Sequence, residues 1–159
     1  MEKSICPVCT GNLKVIGSKK RHMIDAGGER VVLVVRRMKC LNGNCGKIHH
    51  ELPDVLIPYK MHTTIVFEKI IAQDTREVAT ENSTITRIRA WFYSRADALV
   101  GALIGLYATL NRGSGIELSD LPGSILERIH FFVDKSEEWL KRLVRILVNN
   151  NKWIHTQLV

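Results

Sequence analysis

The chain has 159 residues, of which 45% are hydrophobic, and a formal net charge of +7. This length fits one ordinary domain or two small ones, and the hydrophobic fraction excludes a disordered tail. The longest apolar run, Ala98 to Leu110, is about thirteen residues, short of the roughly twenty needed to cross a bilayer, so we expect no membrane span. Residues 1–60 carry eleven Lys/Arg against five Asp/Glu, which favours a nucleic-acid partner for this segment.

Four cysteines in two close pairs bracket this basic segment: Cys6, Cys9, Cys40 and Cys45. The sequence contains no other cysteine. Two thiolates on one turn can face a single ion, and a second such turn completes the tetrahedron typical of structural zinc. The wider second turn leaves room for His49 or His50 as a substitute ligand. No apolar secretory signal opens the sequence, so we expect a cytoplasmic protein whose cysteines bind Zn²⁺ rather than form disulfides.

Two runs rich in β-branched residues lie between the cysteine pairs, at 13–16 and 31–35, with turn residues at 25–29. They predict a zinc ribbon, in which the metal replaces the core that so small an antiparallel sheet cannot build. Basic residues beside these runs would come together if the strands pair, and we expect them to contact DNA phosphates: Lys19, Lys20, Arg21, Arg36 and Arg37. The alternative is a solvated basic surface that offsets the negative charge of a four-thiolate centre.

The next stretch holds four polar groups that could assemble a second metal site or an acid/base site: His49, His50, Glu51 and Asp54. Pro53 and Pro58 keep the stretch extended, and no helical spacing aligns the four groups. We therefore expect a polar connector, and a protein that is not an enzyme.

Residues 61–95 predict a helix-turn-helix. Apolar residues between Ile65 and Ile71 mark a first helix, and the capping-box pattern at 74–77 opens a short second helix through about Thr80. A third helix begins at Ser83 and continues through Phe92.

The third helix has one apolar side, with Ile85, Ile88 and Phe92 expected in the core. Its other side is hydroxylated and basic, as suits an element that enters the major groove, although an ordinary amphipathic helix looks similar. The residues expected to contact DNA are Ser83, Thr84, Thr86, Arg87 and Arg89, the last on the flank and nearer the backbone.

Residues 96–159 predict an α-helical packing or dimerisation region. Gly101 and Gly105 share one face of a helix over 98–110 and would permit another helix to approach closely, and residues 112–115 would end this helix. Apolar residues from Ile125 onward then recur at helical spacing for about twenty-four residues, with a break near Asp134. A homodimer through these helices is the expected oligomer.

The cysteine pattern at 6–9 and 36–45 resembles the zinc-binding amino-terminal region of certain bacterial insertion-sequence transposases. The stretches 48–54 and 81–85 are similar to small proteins of Gram-positive bacteria and their mobile elements, so the resemblance covers about residues 5–93. It implies that the four cysteines bind zinc and that the third helix contacts DNA. Such transposases continue into a catalytic domain with separated metal-binding carboxylates, and this chain is too short to contain one.

The sequence therefore predicts an α+β protein with a zinc ribbon at 1–60, a helix-turn-helix at 61–95 and helices at 96–159. We expect it to bind double-stranded DNA as a transcriptional regulator or mobile-element accessory factor. Three alternatives stay open: an adaptor that binds another protein, a metal-dependent nuclease using the polar groups of the connector, and an RNA-binding protein.

Overall fold

The computed structural model describes residues 4–111 and 115–153. A three-stranded antiparallel sheet comes first, with β1 at Leu13–Ile24, β2 at Arg30–Cys40 and β3 at Ile48–His50, in the order β1-β2-β3. Helices follow: α1 at Thr64–Ile71, α2 at Asn82–Leu110, a 3₁₀ turn at Leu118–Asp120, α3 at Ile125–Val133 and α4 at Trp139–Asn149. The predicted α+β class with a small antiparallel sheet is confirmed. No helix in the described ranges has the length and apolar character to cross a membrane.

The β1–β2 hairpin has little core of its own. None of the twelve residues of β1 is buried, and β2 buries only Val35, Met38 and Cys40. A hairpin with so little buried surface is marginal by itself, so it depends on what holds its two ends. At the turn end, the Ile24 N–H donates to the Met61 carbonyl (2.8 Å) and the Ile24 carbonyl accepts from the Thr63 N–H (3.1 Å). The cysteines lie at the other end.

The helices share one apolar core, whose buried residues run from Ile57 to Leu147. α2 is its central element because it buries residues along its length, from Ile88 to Leu106, against α1 and α3. α2 also runs without interruption from the predicted third helix of the helix-turn-helix into the predicted helix over 98–110. Nothing between Tyr93 and Asp97 is a helix breaker, so the two predicted helices are one.

The short second helix predicted at residues 74–80 is wrong, and the helix-turn-helix is not confirmed. α1 and α2 are joined instead by a connection with turns at 72–73 and 76–77. Gln73, with φ 63°, turns the chain out of α1, and the Ala79 N–H donates to the Ala26 carbonyl of the hairpin turn (3.0 Å). Val78 is buried. Contacts with the hairpin and the core therefore override the local capping signal.

The break predicted near Asp134 is confirmed and separates α3 from α4. Asp134 and Glu138 both have φ near 63°, and Arg142 holds the loop between them by donating to four backbone carbonyls, at 133, 134, 136 and 137. Gly101 and Gly105 are exposed, and a Cβ on either would meet nothing within 4 Å, so no described element packs closely on their face. The predicted helix stop at 112–115 lies largely outside the described residues.

A carboxylate on α1 caps the start of α4. Glu68 on α1 accepts hydrogen bonds from the N–H groups of Glu138 (3.1 Å) and Leu140 (2.8 Å) at the start of α4. Burial raises the pKa of the Glu68 carboxyl, and these donors oppose the rise. The carboxylate satisfies N–H groups that have no partner within the helix and lies at the positive end of the helix dipole.

We expect Glu68→Ala to lower the free energy of unfolding by about 1 to 2 kcal/mol, because α4 loses this cap. Chemical denaturation measures the change. Glu77→Ala is the matched control, since Glu77 is exposed and pairs with Lys69 at the surface (2.6 Å); its cost should stay within about 0.5 kcal/mol. Equal losses in the two variants would contradict the capping role.

Candidate metal centre and basic face

The sulfur atoms of Cys6, Cys9, Cys40 and Cys45 all lie within 4.8 Å of one another. The Cys9 and Cys40 sulfurs are 3.4 Å apart and the Cys6 and Cys45 sulfurs 3.8 Å apart, and none of the four is in a disulfide. Thiolates about 2.3 Å from a tetrahedral zinc ion lie about 3.8 Å from each other. The four predicted ligands therefore come together at a separation that fits a single metal ion, which is compatible with zinc.

Backbone hydrogen bonds shape the two cysteine turns. In the first, the Thr10 N–H donates to the Cys6 carbonyl and the Cys6 N–H to the Gly11 carbonyl, both at 2.8 Å. In the second, the N–H groups of Cys45 and Gly46 donate to the Asn42 carbonyl, each at 3.0 Å. The turns are tied together where the Leu41 N–H donates to the Asn12 carbonyl (2.9 Å). The strand register, which pairs Leu13 with Cys40, brings both turns to one end of the hairpin.

Gly11 has a steric reason to lack a side chain. A Cβ there would lie 3.3 Å from the sulfurs of both Cys9 and Cys40, and 3.2 Å from the Asn42 Cβ. These contacts are tighter than ordinary van der Waals packing, so a larger residue would push the two turns apart. The turns are packed for four sulfurs with no room for an extra group.

The charge state of the cluster also fits a bound cation. Burial raises the pKa of the Cys6 thiol, but hydrogen bonds from the backbone at Val8 and Cys9 lower it more, leaving it at about 6. Burial and the neighbouring sulfurs instead raise the pKa of Cys40 to about 12. The same cluster therefore favours loss of the proton from Cys6 and disfavours it at the buried Cys40. A divalent cation that displaces the protons removes this conflict.

His49 lies beside the cluster. Its Nε2 is 3.2 Å from the Cys6 sulfur, and its strand position pairs it with the buried Met38. The four sulfurs already complete the usual coordination number, so the imidazole is placed to hydrogen-bond a ligand sulfur rather than to replace it. His50, the other substitute considered, pairs with Arg37 and faces the opposite side of the sheet.

The polar groups suggested for a nuclease all border one cavity between the sheet, the following loop and α4, but among the described residues they form no metal-binding group. Glu51 forms two hydrogen bonds with Arg36, one of them at 2.7 Å, and Asp54 pairs with Arg145 of α4 at 3.7 Å. His49 contacts Cys6, as described. Among the described residues, the four cysteines form the only group of three or more His, Cys, Asp or Glu placed to hold one metal ion.

Strand pairing brings the predicted phosphate contacts side by side but distributes them over two faces. Ser18 lies opposite Arg36 and Gly17 opposite Arg37, so the two basic stretches adjoin. Side chains alternate along a strand, which puts Lys20 and Arg36 on one face. Lys19, Arg21 and Arg37 share the other face with His50.

The predicted contacts differ in how available they are. Lys19, Lys20 and Arg36 are exposed, although Arg36 is paired with Glu51. Arg21 is half-buried, and its Nη2 donates to the carbonyls of Lys60 (3.1 Å) and Ile57 (3.4 Å). It therefore also fastens the connector, residues 51–63 between β3 and α1, to the sheet.

The first turns of α2 present the predicted polar face. Ser83, Thr86 and Arg87 are exposed, whereas Ile88 and Phe92 are buried. Thr84 is half-buried and accepts a hydrogen bond from Arg87 Nη2 (3.0 Å). Arg89 is half-buried as well, and its Nε donates to the Ile70 carbonyl (3.1 Å), so it ties α2 to the end of α1.

The sequence did not point to the residues that join the hairpin to α2. The Lys60 ammonium lies 4.7 Å from the centre of the Trp91 ring, a cation–π contact between the connector and α2. Arg87, Trp91 and Arg95 follow each other at four-residue spacing and share one face of α2. Burial lowers the pKa of Lys60, and the positive charge of Arg95 lowers it further. Burial likewise lowers the pKa of His62, and the positive charge of Arg87 adds to this effect. Basic groups therefore continue from the hairpin across the connector to α2.

Comparison with known proteins gives one family match. A family model described as "Domain of unknown function (DUF6431)" matches residues 6–88, which begins at the first cysteine and ends in the first turns of α2. No curated protein and no solved structure matches the chain. The matched segment contains the four cysteines, the sheet, the connector and α1.

We expect purified protein to contain about one zinc ion per chain, and Cys40→Ser to lose it, because one of four tetrahedral ligands is gone. His49→Ala is the matched variant, since it removes a group that touches the cluster but leaves four sulfurs. It should keep the full zinc content. Metal analysis of both proteins after gel filtration makes the comparison. Zinc loss in His49→Ala equal to that in Cys40→Ser would show that the imidazole is a ligand.

Proposed function

We propose that this chain, which belongs to the family defined by the domain of unknown function DUF6431, is a zinc-containing protein that binds double-stranded DNA. The observation that carries the proposal is the run of basic groups from the metal-closed hairpin to the exposed start of α2. In this view, zinc shapes the hairpin, the hairpin contacts phosphates, and α2 contacts bases. A role as transcriptional regulator or mobile-element accessory factor follows, because these groups bind anions and supply no reaction chemistry.

The composition of the sheet favours a duplex over a single strand. Proteins that bind single-stranded RNA or DNA on a sheet stack bases on aromatic side chains. β1, β2 and β3 contain no Phe, Tyr or Trp, and instead carry Lys, Arg and His. Contacts between these cations and phosphates need no unstacked base.

The exposed start of α2 supports a role in base contacts. Ser83, Thr86 and Arg87 form a small polar surface that an α-helix can present to the major groove, where Arg bonds guanine bidentately. Without the predicted second helix, the hairpin and the connector take its place as the elements that position α2. Within the part of the chain that the structure describes, the Arg87 guanidinium hydrogen-bonds the Thr84 hydroxyl, a contact that a base edge can replace.

A protein-binding adaptor is the second candidate, and one surface favours it. The face of the hairpin opposite to Lys19 exposes Val34 at 68% and Val32 at 50% of their surface. The two valines lie two positions apart on β2, opposite His22 and Lys20, and adjacent exposed apolar side chains of this kind suit a protein partner. An adaptor would keep its partner after the basic face is neutralised, whereas a DNA-binding protein would lose its duplex.

We expect binding to random-sequence duplex DNA to weaken with salt, and the double variant Lys19→Gln/Arg37→Gln to reduce the slope of log K against log[salt] by about 1 to 2. The slope arises because each contact between a cation and a phosphate releases counterions from the DNA, so a variant with fewer contacts has a smaller slope. Fluorescence anisotropy over a salt series measures it. Lys135→Gln is the control, because Lys135 is exposed in the α3–α4 loop and should leave the slope unchanged. A wild-type affinity for duplex DNA that does not change with salt concentration would exclude binding through phosphate contacts.

We expect Arg87→Ala to relax base preference at one position of the bound site, at a cost of about 1–3 kcal/mol there. The reason is the loss of a bidentate base contact, which leaves phosphate contacts intact. Selection of bound sequences from random duplexes, with wild type and variant in parallel, detects the change. Thr109→Ala, near the far end of α2, is the control. A variant that enriches the same sequences as wild type would place α2 outside the interface.

A further inference from the structure

A cavity lies between the sheet and the connector, on the side of the molecule away from His49. β1 contributes Lys19 and Arg21, β3 contributes His50, and the connector closes it with Tyr59 and Lys60. The floor is the buried Val35. Its volume is about 340 Å³, and none of the described residues that line it is Asp or Glu.

The strand register explains why these groups meet. Lys19 lies opposite Val35, and Arg37, two residues further along β2, lies opposite His50. Residues opposite each other or two apart on a strand share a face, so Lys19, Val35, Arg37 and His50 all project to the same side. The connector then folds over this side, held by the two hydrogen bonds from Arg21 to the carbonyls of Ile57 and Lys60.

Among the described residues, no carboxylate forms a salt bridge with Lys19, Arg21 or His50 of this cavity. Arg21 Nη2 donates to backbone carbonyls, which do not cancel the positive charge of the guanidinium. Burial lowers the pKa of His50, and Lys19, Arg37 and Arg21 lower it further, so all three cations act on one point. Positive groups of like sign that converge without a counter-charge repel each other, and an anion placed among them relieves the repulsion.

We propose that this cavity binds one phosphodiester group of the DNA backbone, with Lys19, Arg21 and His50 as its donors. The inference rests on the proposed function and adds to it a specific anchor point. Lys60, which closes the cavity and contacts Trp91 on α2, links the anchored phosphate to the stripe formed by Arg87, Trp91 and Arg95. One DNA strand, held by its phosphate in the cavity, would then continue along α2. This would fix where α2 enters the major groove.

The experiment uses the zinc-loaded full chain and a duplex carrying a sequence selected by the wild type. Each backbone phosphate in turn is replaced by an uncharged methylphosphonate. We expect one position at which the replacement weakens wild-type binding about five- to tenfold at 0.1 M salt, and at which Lys19→Gln and His50→Gln bind the modified and unmodified duplexes within about twofold of each other. Arg21 is left unchanged because it also holds the connector.

Lys14→Gln is the matched control, since Lys14 is an exposed lysine on the same strand that does not line the cavity. It should keep the full penalty at that position. Penalties that persist in Lys19→Gln and His50→Gln, while the wild type binds duplex DNA normally, would overturn the cavity assignment and leave the proposed function standing. No binding of any duplex by the wild type would overturn both.

Free inorganic phosphate is the other source of the same chemistry. If titrated phosphate moves the His50 imidazole signals in NMR but no backbone position couples to Lys19 and His50, the cavity serves a free anion and the assignment to DNA is wrong. Coupling at one backbone position, with His50 signals moved by the duplex, is the result that the proposal requires.

Discussion

The convergence of four sulfurs at the open end of the hairpin is the constraint on which the rest depends. β1 and β2 bury too little to hold themselves together, and the chain fastens their turn end to the connector through Ile24. At the cysteine end the two cysteine turns pack together, and a Cβ at Gly11 would lie 3.3 Å from the sulfurs of Cys9 and Cys40. Structural zinc in small domains contributes binding energy of the order of 10 kcal/mol or more to folding, far more than a hairpin of this size gains by burial.

The basic face follows from that constraint through strand register. Closing the cysteine end fixes which residues of β1 lie opposite which residues of β2, and a slip of one strand by one residue would put Lys19 and Arg37 on opposite faces of the hairpin. The same register directs His49 toward the sulfurs and His50 toward the cations. In the proposed function, a metal held by the cysteines would have no direct role in binding an anion, but it would set the positions of the groups proposed to do so.

The sequence was sufficient for the features that short spacing determines. Cysteine spacing located the four sulfurs, β-branched runs located the hairpin, and the apolar pattern located α1, the start of α2 and the break at Asp134. It failed where distant contacts decide. Residues 74–80 carry a helix-capping pattern, but Val78 enters the core and Ala79 bonds the hairpin turn, which no local pattern indicates. Lys60 and Trp91 are thirty-one positions apart, so their contact was equally hidden.

We propose that a metal-closed hairpin holds a positive face beside α2 and that this face binds duplex DNA. The most direct test compares the affinity of zinc-loaded and chelator-stripped protein for the same duplex over a salt series. We expect the zinc-loaded protein to bind tightly and with strong salt dependence. Stripping the zinc should lower both the affinity and the salt slope, and adding zinc back should restore them. Equal affinity and equal slope with and without zinc would contradict it.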